Sequence, residues 1–224
     1  MTAPDPEDYV RELAAESLAD GDPTGWFERL YAASATGAAV VPWDRGGPHP
    51  LVAGWAEERA LDGAGRRAVV VGCGLGGDAE YVSARGYATT AFDVSASAVD
   101  AARRRSPDSA VDYLTADLLA LPGSWRGGFD LVVETFTVQA LPVELHARAI
   151  AAVAGLVAAG GTLLVVAAAR DSFDDPAGAP PWPLLRAEVD SFATGTLRAV
   201  RVDAVTSSPS PRPTHWRAEF VRDG

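Results

Sequence analysis

A glycine-rich stretch next to a run of valines is the part of this sequence best suited to chemistry. Val69 to Val71 is predicted to be a buried parallel strand, and Gly72-Cys73-Gly74-Leu75-Gly76-Gly77-Asp78 follows it directly. Glycines let the backbone turn sharply and leave no Cβ between the loop and a ligand. A helix predicted over residues 78 to 85 would then direct its first N–H groups at that ligand.

Three carboxylates come directly after three successive predicted strands. In an open α/β sheet the ligand crevice lies at the carboxyl ends of the strands, so these side chains are predicted to share one site. The first could accept both hydroxyls of a ribose, and the second could accept the exocyclic amine of an adenine. The second and third could equally cap turns. They are Asp93 after strand 87–92, Asp117 after strand 111–115 and Glu134 after strand 129–133.

The glycine pattern is compatible with two nucleotide cofactors. Gly72, Gly74 and Gly77 match G-x-G-x-x-G, which permits a dinucleotide site. Gly72, Gly74 and Gly76 match G-x-G-x-G, which is typical of class I S-adenosylmethionine-dependent methyltransferases. A glycine turn without a ligand is the third reading, and the correct order of strand, helix and distal acid disfavours it.

Composition narrows the class of protein. The 224 residues are enough for one α/β domain over residues 1–224, and 48% of them are hydrophobic. The single cysteine, Cys73, excludes an intramolecular disulfide and a cysteine-cluster metal site, and we interpret it as an unreactive loop residue. The net charge of −11 argues against a nucleic-acid partner. We expect a cytoplasmic protein with no metal and no membrane contact, present as a monomer or weak homodimer.

The N-terminal quarter is predicted to be helical and to cover the site. Helices are predicted at Pro6–Ala19, Thr24–Ala33 and Leu51–Ala60, with an irregular stretch over residues 42–50. We therefore divide the chain into an N-terminal helical lid over residues 1–60 and a core over residues 66–224. Trp43, in the irregular stretch, is interpreted either as part of the lid over a cofactor or as a packing residue.

The remaining pattern predicts an α/β fold. It is a Rossmann-like, seven-stranded, mostly parallel sheet with helices on both faces and a C-terminal antiparallel β hairpin. Such a chain leaves no room for the substrate domain of a dehydrogenase. The later predicted elements are helix 96–105 with Ser95 as its N-cap, helix 142–159 ended by Gly160-Gly161, strand 162–168, loop 170–183, helix 184–192, and strands 196–205 and 214–221 joined by residues 207–213.

Nearly the whole chain resembles the thiopurine S-methyltransferase and thiol/halide methyltransferase superfamily within the class I enzymes. The resemblance rests on the stretch from Val69 to Asp93, on Pro42-Trp43-Asp44-x-Gly-x-Pro48-His49-Pro50, on Gly178-x-Pro180-Pro181 and on His215-Trp216-x-x-x-Phe220. Thiopurine S-methyltransferases carry an arginine after the fourth strand, whereas this chain has Glu134-Thr135-Phe136-Thr137 there. The difference concerns the substrate rather than the cofactor.

The resemblance implies S-adenosylmethionine as cofactor and assigns residues to it. Trp43 and Trp26 would cover its methionine part, and the glycines would line its carboxylate and ribose side. Thr135 and Phe136 would lie beside the donor methyl. The residues assigned to the cofactor are Trp26, Trp43, Gly72, Cys73, Gly74, Gly76, Asp93, Val94, Ala116, Asp117, Leu118, Glu134 and Thr135. Those assigned to a small-molecule substrate are Tyr31, Phe136, Trp182, His49 and His215, and no catalytic residue is identified.

The predicted function is transfer of a methyl group from S-adenosylmethionine to a small-molecule nucleophile. A thiol or another soft acceptor suits the sequence because such a group needs no general base, whereas a phenol or an amine would. Two alternatives stay open at this point. One is an NAD(P)-dependent oxidoreductase that uses the same glycine loop, and the other is a module that binds S-adenosylmethionine without catalysis.

Overall fold

The computed structural model describes residues 5–170, 180–206 and 214–224, and these residues form a seven-stranded sheet covered by helices. The predicted loop 170–183 lies largely outside the described residues, and so does the predicted connector 207–213. The strands are β1 (Arg67–Val71), β2 (Ala88–Asp93), β3 (Asp112–Thr115), β4 (Phe129–Thr135), β5 (Val157–Ala168), β6 (Leu197–Val205) and β7 (His215–Arg222). The helices are α1 (Pro6–Ala19), α2 (Gly25–Ala35), α3 (Pro50–Glu58), α4 (Gly77–Ser83), α5 (Ala96–Arg105), α6 (Val143–Gly155) and α7 (Arg186–Asp190).

The strand order is β3-β2-β1-β4-β5-β7-β6, and the first five strands are parallel. β7 is antiparallel to both of its neighbours, β5 and β6. Its first residue, His215, pairs with Ala168 at the end of β5. The beginning of β7 therefore lies at the same edge as the ends of the parallel strands. The fold class predicted from the sequence is confirmed.

Two apolar layers cover the sheet, one on each face. On one face, α3, α4 and α5 pack through residues such as Trp55, Val82 and Val99. On the other face, α6 and the region of α7 pack through residues such as Ile150 and Phe192. Because both faces are covered, the central strand β1 is apolar and buried throughout after Arg67.

The predicted lid segment, residues 1–60, is divided in the structure. Helices α1 and α2 form their own apolar cluster, which includes Leu13, Trp26 and Leu30, and α2 lies against α5. Helix α3 packs on the sheet through Val52 and Trp55 and so belongs to the core. The local sequence pattern of α3 predicts an amphipathic helix but does not show whether that helix packs on the sheet or covers the site.

The helix predicted over residues 142–159 is shorter in the structure. α6 ends at Gly155, and β5 begins at Val157, five residues before the predicted start of that strand. Arg222 of β7 donates hydrogen bonds of 2.9 Å to the carbonyl oxygens of Ala154 and Val157, and so satisfies the helix end. This cap comes from the far end of the chain, which local sequence cannot reveal.

Candidate functional site

One cavity of about 570 Å³ lies along the carboxyl edge of the sheet. Its walls come from the glycine loop, the ends of β2 and β4, the segment after β3, and the N-terminal helices with the loop that follows them. The predicted site residues that line it are Trp26, Tyr31, Trp43, His49, Gly72, Cys73, Gly74, Asp93, Val94, Ala116, Asp117, Leu118, Thr135 and Phe136.

The glycine loop is shaped so that backbone rather than side chain faces the cavity. Gly74 has a φ of +51°, in the left-handed region that favours glycine. A Cβ at this position would lie 2.8 Å from the hydroxyl oxygen of Tyr31. Gly76, with a φ of +88°, is the N-cap of α4 and packs toward Tyr113, and it does not line the cavity.

Asp93 is the best-placed carboxylate of the cavity. Its Oδ2 accepts a hydrogen bond of 2.9 Å from the backbone N–H of Gly74, and its Oδ1 accepts one of 3.0 Å from that of Ser95. Burial raises the pKa of Asp93 to about 6, although these backbone donors lower it. Each carboxylate oxygen can accept a second hydrogen bond, so the group can still hold two hydroxyls.

A network of aromatic and polar contacts holds the lid over the glycine loop. Trp43 is 38% exposed, and its Nε1 donates a hydrogen bond of 2.9 Å to the hydroxyl oxygen of Tyr31. Trp26 is buried, and its ring lies edge-on to that of Trp43 at a centroid distance of 6.0 Å. The guanidinium of Arg105 donates to both oxygens of Asp44, at 2.8 and 2.7 Å, and lowers the pKa of that carboxyl. Half-exposed Trp43 therefore has the position of a cover rather than of a core residue.

Tyr31 lines the cavity beside the glycine loop. Its side chain is buried, and its hydroxyl lies between Gly74 and Trp43. Burial and the nearby charge of Asp93 raise its pKa well above the usual value. The hydroxyl therefore stays protonated at neutral pH and serves as a hydrogen-bonding group.

Asp117, in the segment after β3, both caps a turn and lines the cavity. The Oδ1 of Asp117 accepts a hydrogen bond of 2.8 Å from the N–H of Leu119 and so caps a short 3-10 helix that begins at Leu118. Asp117 also lines the cavity with Ala116 and Leu118. Capping uses one carboxylate oxygen and leaves the other toward solvent and cavity.

Glu134 is buried in the protein and does not line the cavity. Its Oε1 accepts hydrogen bonds of 2.8 and 3.0 Å from the N–H groups of Thr137 and Val138, and among the described residues its Oε2 has no partner. Burial raises its pKa to about 7. Glu134 shapes the turn after β4, while the two residues that follow it reach the cavity.

Phe136 is held in a strained backbone conformation, with a φ of +61°. Its backbone N–H donates a hydrogen bond of 2.9 Å to the carbonyl oxygen of Val166. This geometry places its ring 5.0 Å from the ring of His49 and 5.7 Å from that of His215, measured between centroids. The strained residue therefore brings the two histidines and the cavity wall together.

His49 is fixed by two hydrogen bonds at the start of α3. Its backbone N–H donates to Oδ1 of Asp78 at 2.7 Å, and its Nδ1 accepts from the N–H of Leu51 at 3.2 Å. Burial, followed by the charges of Arg45 and His215, lowers its pKa to about 4. At neutral pH the ring is uncharged. Because Nδ1 accepts a backbone proton, Nε2 carries the ring proton and is a donor.

The last two predicted substrate residues lie behind the cavity wall. His215 is at the start of β7, with its Nδ1 2.9 Å from the hydroxyl oxygen of Thr214, and burial lowers its pKa. Trp182 is buried, and its backbone N–H donates to the carbonyl oxygen of Gln139 at 2.7 Å. Neither residue lines the cavity, whereas Gln139 and Pro181, which adjoin Trp182, do.

Several cavity residues carry no signal in the sequence. Asp78 lies in the first turn of α4 as an ordinary acidic residue, and Arg45 is one charge in an irregular loop. Contacts between the loop and α4, such as the hydrogen bond from the N–H of His49 to Asp78, bring them into the site. Within the described ranges, no group of three or more His, Cys, Asp or Glu side chains could hold a metal, and no helix is long and apolar enough to cross a membrane.

Comparison with known families and folds agrees with this geometry. Residues 68–161, from β1 to the middle of β5, match a family model described as a methyltransferase domain. The match covers less than half of the chain. S-Adenosylmethionine is the methyl donor of class I methyltransferases and is the cofactor that the match indicates. A search among curated proteins finds no significant match.

Solved structures with low sequence identity share the fold of this chain. One, from work on the conversion of a disulfide bond into a thioacetal group during echinomycin biosynthesis, is 21% identical over 88% of this chain and 93% of its own, with a TM-score of 0.68. The N-methyltransferase NodS of Bradyrhizobium japonicum is 20% identical over 88% and 97%, with a TM-score of 0.63. The 1,6-didemethyltoxoflavin-N1-methyltransferase of Burkholderia thailandensis is 14% identical over 100% and 93%, with a TM-score of 0.61.

The residues that line the cavity fit S-adenosylmethionine. Asp93 keeps free lone pairs beside the glycine loop and can accept the hydroxyls of a ribose. A Cβ at Gly72 would clash with the hydroxyl oxygen of Thr137, and one at Gly74 would lie 2.8 Å from that of Tyr31, so the loop needs glycine at both positions. Asp117 also lines the cavity and can accept an amine.

Proposed function

We propose that this protein transfers the methyl group of S-adenosylmethionine to a small-molecule acceptor, with a thiol or another soft nucleophile as the reacting atom. The observation that carries the proposal is the position of Asp93, buried against the N–H of Gly74 in a cavity that continues to Thr135 and Phe136. We further propose that it acts in the cytoplasm as a monomer or weak homodimer. The net charge of −11 supports a small-molecule acceptor over a nucleic acid.

In this proposal each part of the cavity has one role toward the cofactor. Asp93 accepts the ribose hydroxyls, and Asp117 with Leu118 holds the adenine edge. The glycine loop and the lid residues Trp26 and Trp43 enclose the methionine part. Thr135 and Phe136 then lie where the donor methyl would meet its acceptor.

Methyl transfer mainly requires that the site orient the reactants and exclude water. The bound cofactor supplies a methyl group on a positively charged sulfur atom. The lid aromatics cover the cavity and hold reactants in line in a dry space. The nearest imidazole, that of His49, donates from Nε2 and is not arranged to remove a proton. An acceptor that is already nucleophilic, such as a thiolate, suits these groups better than a neutral amine or phenol.

The sheet disfavours the alternative of a nicotinamide-dependent oxidoreductase. A dinucleotide-binding sheet has the strand order 3-2-1-4-5-6, whereas this sheet has antiparallel β7 between β5 and β6.

The resemblance to thiopurine and thiol/halide methyltransferases supports a soft acceptor. Solved relatives named for N-methylation support a nitrogen acceptor as the second possibility. A binding module without catalysis is the remaining alternative.

Calorimetry and turnover test the proposal separately. S-Adenosylmethionine and S-adenosylhomocysteine should bind with micromolar Kd, and NADH should not. Asp93→Asn should weaken S-adenosylhomocysteine binding by more than about tenfold, because a charged acceptor is lost. The exposed Asp112 at the start of β3 gives the matched control, Asp112→Asn. Formation of S-adenosylhomocysteine with thiophenol, aniline and phenol then ranks the acceptor atoms. Cofactor binding without turnover of any acceptor would favour the binding module.

A further inference from the structure

Arg45 is an exposed cationic side chain at the cavity with no hydrogen-bond or ion-pair partner among the described residues. It lines the cavity next to the lid residues Trp43 and Asp44. The adjacent carboxylate of Asp44 is already held by both guanidinium nitrogens of Arg105. Asp78 is the other carboxylate whose pKa the charge of Arg45 affects, and its Oδ1 accepts a hydrogen bond from the backbone N–H of His49.

The imidazoles near Arg45 carry no charge of their own. After burial, the charge of Arg45 is the largest cause that lowers the pKa of His49, and it also lowers that of His215. Both imidazoles are therefore uncharged at neutral pH. This end of the cavity thus offers a guanidinium and an uncharged ring N–H donor, in a protein whose overall charge is −11.

We propose that the methyl acceptor carries an anionic group, a carboxylate or a phosphate, which pairs with the guanidinium of Arg45 while Nε2–H of His49 donates to the same group. The proposal rests on the proposed function, since it names the class of acceptor for that site. Arg45 is here a residue for binding and specificity.

The shape of the site supports a planar anionic acceptor. A guanidinium presents parallel N–H groups that match the two oxygens of a carboxylate. The rings of Phe136 and His49 meet edge to face at 5.0 Å and offer an aromatic wall beside this charge. Complementary charge also concentrates anionic ligands at the cavity, against the repulsion of an acidic protein.

Binding to the protein saturated with S-adenosylhomocysteine tests the proposal without turnover. The probes are 4-mercaptobenzoate against 4-mercaptobenzamide, and phenyl phosphate against phenol, each titrated by calorimetry. The acid should bind at least about tenfold more tightly than its neutral partner. Arg45→Gln should abolish this preference, and Arg45→Lys should keep part of it, because lysine retains the charge and loses the planar fork. Whichever acid is preferred distinguishes a carboxylate from a phosphate.

The control is Arg104→Gln, which changes the net charge equally. Arg104 is exposed on α5 and does not line the cavity. It should leave the acid preference unchanged, and all variants should keep the affinity for S-adenosylhomocysteine.

Equal binding of acid and neutral probes overturns the proposal. The proposal is also overturned if Arg45→Gln still prefers the acid probes, or if neither acid binds the wild type at millimolar concentration. If S-adenosylhomocysteine itself fails to bind, the proposed function fails, and the same acid and amide comparison on the protein alone still decides the role of Arg45.

Discussion

The indole Nε1 of Trp43 donates a hydrogen bond of 2.9 Å to the phenol oxygen of Tyr31, and that same oxygen lies against Gly74. A half-exposed residue of the lid is therefore linked through one buried hydroxyl to the loop that faces the cofactor. This contact makes the position of the lid depend on the glycine loop.

Trp43→Phe and Tyr31→Phe should have overlapping effects because each removes the same hydrogen bond. Each should weaken S-adenosylhomocysteine binding by about fivefold to tenfold, as expected for one hydrogen bond of about 1 kcal/mol. The double variant should lose little more than either single variant, and calorimetry of all four proteins gives the coupling. Additive losses would mean that the two side chains act separately. Thermal unfolding serves as the control, since a collapsed transition in Trp43→Phe would mark the residue as part of the core.

Affinity for the cofactor should fall as the pH falls through about 6, because burial raises the pKa of Asp93 to that value. The protonated carboxyl loses its charge and one acceptor site for the ribose hydroxyls. Below the pKa, the Kd for S-adenosylhomocysteine should therefore rise by up to about tenfold per pH unit. Calorimetry between pH 5 and pH 8 measures this dependence.

Asp93→Asn is the control for the pH dependence. It should bind more weakly than the wild type at pH 8 and should show a flat profile over the same range. His49, whose pKa is about 4, stays uncharged throughout and cannot produce the effect. A profile in Asp93→Asn that is as steep as that of the wild type would assign the titration to another group.

The buried carboxyl of Glu134 should make the protein less stable as the pH rises. Its pKa in the folded chain is about 7, against an ordinary value of 4.5. The folded chain then keeps a proton that the unfolded chain releases, so the free energy of unfolding falls between about pH 4.5 and pH 7. The contribution is on the order of 3–4 kcal/mol at most.

Glu134→Gln removes this titration and keeps an oxygen for the N–H groups of Thr137 and Val138. The stability of the variant relative to the wild type should increase from pH 5 to pH 8 in urea unfolding. Glu144→Gln, at an exposed position of α6, should show no such trend. A constant difference between Glu134→Gln and the wild type would mean that Glu134 is charged at both pH values.

Glu28 should anchor the lid on the core. From α2, its carboxylate accepts hydrogen bonds from the side chains of Ser95 and Ser97 at 2.7 and 2.5 Å, and from the N–H of Ser97 at 3.1 Å. Glu28→Ala should therefore speed hydrogen exchange in α2 and leave that of the buried strand β1 unchanged. Glu16→Ala removes one exposed ion pair with Arg29 and should have little effect. Equal exchange of α2 in the two variants would place the anchor elsewhere.

The parts of the fold that depend on short stretches of chain could be predicted from the sequence. β1, the glycine loop and Asp93 lie within one β/α/β unit, and the N-cap at Ser95 was also predictable, since its hydroxyl accepts from Ala98 at 3.0 Å. The end of α6 was not, because Arg222 supplies its cap from the last strand. The roles of Arg45 and Glu134 likewise depend on contacts that tertiary packing creates, and no spacing in the sequence encodes them.

The reversed direction of β7 has a consequence for how such a protein can change over evolution. The cofactor loops lie in the middle of the sequence, whereas His215 reaches the same edge from the C-terminal hairpin and Arg45 reaches it from the N-terminal segment. Under the proposed function, mutations in the loop around Arg45 can therefore alter which acceptor is used and leave the central β/α/β unit untouched. Exchange of this loop between homologous proteins, with Trp26, Tyr31 and Trp43 kept, is a direct way to graft new specificity onto the same glycine loop.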